Sequence, residues 1–437
     1  MNKASRILLG LGFLALLLIS WAVAANSKSP AQKQTELIAE ATALISDAIY
    51  VRAMPLLEEA VGYDAAYTLE AETLLKGVYL KLMGQSGIKN KYTDLLNKQM
   101  EREDTTAAIF TEAANFYIST NKLKTALEVL KRGARKLNDQ GLIDFYEAER
   151  YAFKVNRITY EDVTAIVNGK IQVSKEGLWG LANSDGGLII PCECEKITNC
   201  DNSRVIVLKG GEIYAVDLRN NRIDLLHEKA TDFGNYGNDR VAVLTDKGWQ
   251  RATGGLILDS KVFEGVGMYS GGYAAAKQGG KWGVVDIGVN WLVPAEYDEI
   301  IRDELGRCYA QGAVFAVKDG KTILIIDGVD TGKTYDDARP FTDDGLAAVK
   351  LNGKWGFIDK AGEIRIEPQF DDALSFSEHL AAVKQGDLWG YAALTGKIAI
   401  EPQFLQAKSF SNGNAPILGE RGWQFITLVE YKQEAGL

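Results

Sequence analysis

The sequence predicts an α+β multidomain protein. A membrane helix comes first, then a stack of α-helical hairpins, then an all-β array of about eight three-stranded repeats closed into a propeller-like toroid. Three observations predict it. The chain opens on an uncharged apolar run, Ile7–Ala25. Apolar residues then recur at three- and four-residue steps as far as about residue 155, the period of an amphipathic helix. Over the remaining two-thirds, tryptophan followed by glycine recurs at Trp179-Gly180, Trp282-Gly283, Trp355-Gly356 and Trp389-Gly390. The steps from Trp355 to Trp389 and from Trp389 to Trp423 are each 34 residues, the period of a supersecondary unit copied in tandem.

The opening segment, residues 1–25, reads as a signal anchor or a signal peptide. Lys3 and Arg6 precede a run containing Leu8, Leu9, Leu11, Phe13, Leu14 and Leu16–Ile19. About 20 apolar residues span a bilayer, and basic residues on the short side keep that side cytoplasmic. The expectation is a single-pass cell-membrane protein with its bulk extracytoplasmic. Ala22-Val23-Ala24 offers a small-x-small cleavage site, so the alternative is secretion after signal removal. Residues 26–33 form a polar linker.

Composition bounds the rest. A chain of 437 residues with 46% hydrophobic and 24% charged residues is globular and long enough for two or three domains. Its net charge of −9, with no compensating basic run, argues against nucleic acid as a partner. Cys192, Cys194, Cys200 and Cys308 are too few for a disulfide scaffold. The first three could supply thiolates to zinc, but the two histidines, His227 and His379, are distant in sequence, which favours core thiols or one incidental disulfide and no metal site.

Residues 34–155 carry the helical pattern. Leu37, Ala41, Leu44 and Ala48 are followed by Ala53, Leu57 and Ala60; Phe110, Ala113, Ala114 and Tyr117 are followed by Ala126, Leu130 and Ala134. Small residues let two antiparallel helices approach closely while larger ones fill the groove alongside. These positions resemble the small and large packing sites of tetratricopeptide repeats. The usual early tryptophan is missing and Asn138 stands where a proline would close the unit, so a generic hairpin stack is the other reading. The resemblance implies contact with protein partners.

Residues 157–437 carry the β pattern. Leu346-Ala347-Ala348-Val349-Lys350 recurs as Leu380-Ala381-Ala382-Val383-Lys384, and Ile366-Glu367-Pro368-Gln369-Phe370 as Ile400-Glu401-Pro402-Gln403-Phe404. Each unit reads as three strands. The first alternates and ends in a turn such as Asn352-Gly353, suited to the positive φ angles of a two-residue hairpin. The second carries Trp-Gly and ends in Asp. The third brings paired aliphatics, a proline and an aromatic. The tryptophan is large enough to fill the space between small sheets, and the glycine lets a neighbouring chain approach. The structural repeat positions are Trp179, Gly180, Trp249, Trp282, Gly283, Trp355, Gly356, Trp389, Gly390 and Trp423.

This grammar resembles the tryptophan-glycine (WG) repeat family. The resemblance is specific around Trp282, Trp355 and Trp389, good at Trp179, and degenerate near Ile213, Trp249 and Ile323. It implies binding or scaffolding and brings no catalytic residues. The last unit stops before its aromatic strand, while Ile158–Val163 at the front resembles that missing piece. Tyr160 lies 19 residues before Trp179, the interval from Phe370 to Trp389, so the two ends are expected to share one sheet.

No nucleophile elbow, metalloprotease helix or phosphate-binding loop is present. The expectation is therefore a non-enzymatic, membrane-tethered interaction or scaffold protein without cofactors, holding an unknown protein partner. A cell-wall glycan-binding module is the alternative, and a hydrolase with its site in the central channel is a third.

Overall fold

The structure, a computed structural model, describes residues 28–226 and 229–430. The chain divides into two compact units between Ile143 and Asp144.

The first unit is helical: α1 (Pro30–Ser46), α2 (Tyr50–Gly62), α3 (Thr68–Lys81), α4 (Ile88–Glu101), α5 (Ala107–Ser119) and α6 (Leu123–Leu137), with α7 (Gln140–Glu149) running across the division. Ser29 caps α1 through a reciprocal pair of hydrogen bonds with Gln32, and Pro30 sits at its first turn. Of the alanines expected at the helix crossings, Ala41, Ala53, Ala60, Ala113, Ala114 and Ala126 are fully buried and Ala134 is buried, whereas Ala48 is exposed in the turn between α1 and α2. Contact is closest at Gly133, where a Cβ would lie 2.5 Å from Cγ of Phe110. Buried polar groups tie the hairpins together. Glu72 accepts two hydrogen bonds from Arg102 and one from Gln99. Gln34 donates to Ala60 O at 3.0 Å and to Thr68 at 2.9 Å.

None of the described helices is long and apolar enough to cross a membrane. The expected membrane helix, and with it the single-pass tether to the cell membrane, therefore finds no counterpart in the described structure. Residues 1–25, where it was placed, lie outside the described residues.

The second unit is an eight-bladed β-propeller. Its sheets are four-stranded, which corrects the expected three-stranded unit, and none closes upon itself into a barrel or toroid. In blade 6 the strands are Asp337–Ala338, Leu346–Leu351, Lys354–Asp359 and Ile364–Phe370, paired in that order. The extra strand is the two-residue one. It follows the aromatic strand of the previous blade after a single residue, so a segment that reads as one strand serves two sheets. Tyr297 pairs with Trp282 of blade 4, and Glu299 then pairs with Val317 of blade 5.

The last blade is completed from the front of the chain. Phe153–Val155 forms its fourth strand against Ile426–Leu428, and the backbones of Tyr160 and Trp423 exchange two hydrogen bonds of 3.0 Å. Tyr160 thus stands opposite Trp423 as Phe370 stands opposite Trp355. In blade 2, where the aromatic position near His227 was obscure, the place is taken by buried Leu226, whose N–H bonds Ile213 O at 2.9 Å.

The central cavity of the propeller

The Trp-Gly pair and the proline downstream form one device. Opposite Gly356 the fourth strand bulges: Trp355 pairs with Phe370 and Phe357 with Ile366, so three residues face one. Pro368 lies in that bulge, which needs no ladder N–H there. A Cβ on Gly356 would lie 2.6 Å from Ile366 O; at Gly180, Gly283 and Gly390 the nearest backbone oxygens, of Ile190, Val293 and Ile400, would be 2.5, 2.4 and 2.4 Å away. In these four blades only glycine fits opposite the bulge. In blade 8 Gln424 stands opposite a looser break between Val155 and Tyr160. In blades 2, 3 and 5, which also lack the glycine, the bulge has moved or gone. It faces Arg251 in blade 3 and Leu324 in blade 5, and blade 2 has none.

The tryptophans pack between sheets. Trp355 and Trp423 are buried, while Trp179, Trp249, Trp282 and Trp389 are half-buried against neighbouring clusters. Three ring faces are covered by cations: Arg302 over Trp282 at 4.1 Å, Arg339 over Trp355 at 4.5 Å and Lys408 over Trp423 at 5.1 Å.

Successive blades are latched at the turns between their first two strands. Asp344 accepts from His379 N at 2.7 Å, Glu378 from Gly413 N at 2.9 Å, and Asn238 from Gly272 N at 2.9 Å. Ser377 Oγ donates to Phe410 O at 2.7 Å. These turns surround a cavity of about 930 Å³, lined by residues of blades 1 and 4 to 8. Its wall includes Trp389, Trp423, Phe341 and Phe410, with Lys384, Arg307, Asp343 and Asp372 among the charged groups.

One side of the central channel is filled. In blade 5 residues 301–312 join the first two strands, where seven residues or fewer (339–345 in blade 6, 374–379 in blade 7, 408–413 in blade 8) suffice in the other blades. The extra length crosses the axis. Asn235 of blade 3 donates to Leu305 O at 3.2 Å, Met268 N of blade 4 to Gly306 O at 3.0 Å, and Glu304 pairs with Lys408 of blade 8. Asp303 holds the loop's shape, accepting from the backbone N–H groups of Leu305 and Arg307 at 3.0 and 2.9 Å. Asn235 is the hub, since Gln172 of blade 1 and Asn199 N of blade 2 also donate to it, at 3.1 and 3.3 Å. The Trp-Gly pattern does not announce this plug, because it lies in a blade that, like blade 2, has lost both Trp and Gly. The one available signal was the lengthened spacing before Ala313.

The four cysteines are free thiols: Cys194, Cys200 and Cys308 are buried and Cys192 is half-buried. Cys194 stands opposite Trp179 in the aromatic position. Among the described residues no group of three or more His, Cys, Asp or Glu is placed to hold a metal ion. Burial pushes the Cys308 thiol up to about 12.

The model of the WG containing repeat matches residues 179–212, 248–282, 333–355, 355–389 and 389–418. Within the propeller, residues 213–247 and 283–332, which include the strands at Ile213 and Ile323 that lack Trp-Gly, are not matched. No curated protein matches the sequence. Among solved structures, Kluyveromyces lactis Hsv2 is 10% identical and similar over 58% of this chain and 92% of its own, with a TM-score of 0.36. The WD40 domain of SCAP from fission yeast is 9% identical over 63% and 98%, at 0.36. YCF48 bound to D1 peptide is 15% identical over 62% and 100%, at 0.33. With the family pattern running from blade 1 into blade 8 and a helical repeat region before it, the propeller of this chain belongs to the WG-repeat family.

Proposed function

We propose that this chain is a non-enzymatic protein-binding module whose propeller seats a partner protein at the plugged central cavity. The observation that carries the reading is the cavity itself. At about 930 Å³ it is in the size range of ligand sites, and it mixes aromatic with charged side chains on a frame of latched turns. Its rigid frame limits the ordering penalty of binding. The plug makes it a seat and not a through-channel. The helical hairpins offer a second surface of the kind that holds partner proteins.

The glycan reading requires tryptophan faces open to sugar rings, and the faces of Trp282, Trp355 and Trp423 are each occupied by a cation. A photo-crosslinking residue at Leu405, an exposed position in the cavity wall, distinguishes the readings. A discrete protein adduct, absent with the same probe at Ile364 on an outer strand, is expected. Co-sedimentation with peptidoglycan, blocked by Trp389→Ala and without a protein adduct, would transfer the site to glycan.

A further inference from the structure

Blade 2 differs from the other seven at its outer edge. Its fourth strand, Arg222–Leu225, pairs in unbroken register: Asp217 with Arg222, Val216 with Ile223, Ala215 with Asp224 and Tyr214 with Leu225. Blades 1 and 3 to 7 break register along this strand, four of them at a proline. Blade 8 breaks it between Val155 and Tyr160. Bulges and prolines are the usual protection of a sheet edge against a further strand. Blade 2 has neither.

The hydrogen-bond phase shows what the edge offers. Leu226 N donates to Ile213 O, so these two form a hydrogen-bonded pair. Such pairs alternate along an antiparallel ladder. Asp224 and Arg222 therefore bond inward, and the N–H and C=O groups of Ile223 and Leu225 face outward. By the two-residue period their side chains share one face, and both are exposed, at 62% and 37%. Arg222 and Asp224 occupy the other face, joined by a 2.9 Å hydrogen bond.

We propose that this edge receives an extended segment of a partner protein as a fifth strand, with apolar residues at alternate positions lying against Ile223 and Leu225. An extended backbone is the chemistry that matches outward donors and acceptors at strand spacing. The propeller already uses this mode internally, capturing Phe153–Val155 as the outer strand of blade 8. The site is separate from the central cavity and does not rest on the reading of that cavity.

The probe is a blocked hexapeptide of alternating valine and threonine added to the full chain at millimolar concentration, with backbone amide exchange as the readout. Exchange at Ile223 and Leu225 is expected to slow by tenfold or more, with cavity residues unaffected. Ile223→Pro removes an outward N–H and no ladder bond within the blade, so it should abolish protection at Leu225 while leaving the melting temperature in place. Leu225→Pro serves the same purpose at the neighbouring outward position, read at Ile223, should the first variant misfold. Ile223→Thr, which keeps the N–H, should retain protection at both amides. Unchanged exchange with peptide, or equal protection in the proline variants, would overturn the proposal. Protection that grows with protein concentration alone would also overturn it, assigning the edge to a second copy of this chain.

Discussion

A methyl group placed on Gly356 would lie 2.6 Å from Ile366 O, 2.7 Å from Pro368 N and 2.9 Å from Pro368 Cα. All three are backbone atoms of a bulge that carries the turn into the next blade, so no side chain can rotate away to relieve the contact. The φ angle at Gly356 is not in the left-handed region, so the penalty of Gly356→Ala is steric alone. Overpacking a tight site costs about 1–3 kcal/mol, and backbone contacts place this one at the upper end. The lower chain entropy of alanine in the unfolded state returns about 0.4–1 kcal/mol. A net loss of about 2 kcal/mol, or roughly 4–8 °C in melting temperature for a domain of this size, is expected. Seven of the eight tryptophans lie in the propeller, so thermal unfolding of the full chain followed by tryptophan fluorescence reports on it. The control is Gln424→Ala, at the corresponding position of blade 8, which already accommodates a Cβ and loses a 3.3 Å hydrogen bond to Asn156 O. It should shift the transition by less than half as much. Equal shifts, or a Gly356→Ala shift under about 1 °C on the same scale, would refute the claim that bulge and glycine are one device.

Further outcomes are expected elsewhere. Gly77→Ala places a methyl group in open space on α3 and should stabilise the helical unit by about 0.5–1 kcal/mol in far-ultraviolet melts. Arg102→Ala strands the buried carboxylate of Glu72 and should cost about 3 kcal/mol, whereas Arg102→Lys, which keeps the charge but not the bidentate fit, should cost less. Stability should be flat near neutrality and fall on both sides. Hydrogen bonds from Arg219 to Asp217, from Asn290 to Asp286 and from Lys281 to Asp298 hold these carboxyls below their usual 3.8. Their contribution is present above that value and is lost as pH falls through the lower folded values. Cys308 acts in the opposite direction: its unfolded thiol ionises near 9.0 and its folded thiol near 12, so stability declines as pH rises between the two. Cys308→Ala should flatten the alkaline limb of a melting-temperature profile, and an unchanged limb would show that this thiol does not contribute.

The repeat was legible because each of its residues answers a local demand. Asn352-Gly353 adopts φ of +52° and +82° at the hairpin turn. Asp359 accepts from Ala361 N and Glu363 N at the next turn. Counting second strands yields the eight sheets observed, but the segments read as alternating, such as Leu346–Leu351 and Leu380–Gln385, bury three or four consecutive residues and so both faces. The split of the aromatic segment between two blades was not legible. The two-residue strands, such as Asp337–Ala338, are too short to show a period, and pairing partners are chosen by neighbours distant in sequence. The reason for the glycine was read only in part: a close approach was foreseen, but which chain approaches depends on the bulge at Pro368.

The cavity was beyond the sequence for a different reason. Its lining is assembled from turns about one repeat apart, each of which alone looks like a solvated hairpin. The plug depends on a blade 5 loop meeting blades 3, 4 and 8, contacts that no local pattern encodes. By itself the sequence determined the repeat, its number and the completion of the last sheet by Tyr160, because these follow from period, turn chemistry and spacing. Tertiary structure alone decided the fourth strand, the covered tryptophan faces, the plugged axis and the open edge of blade 2. Each of these is a relation between segments that only packing brings together.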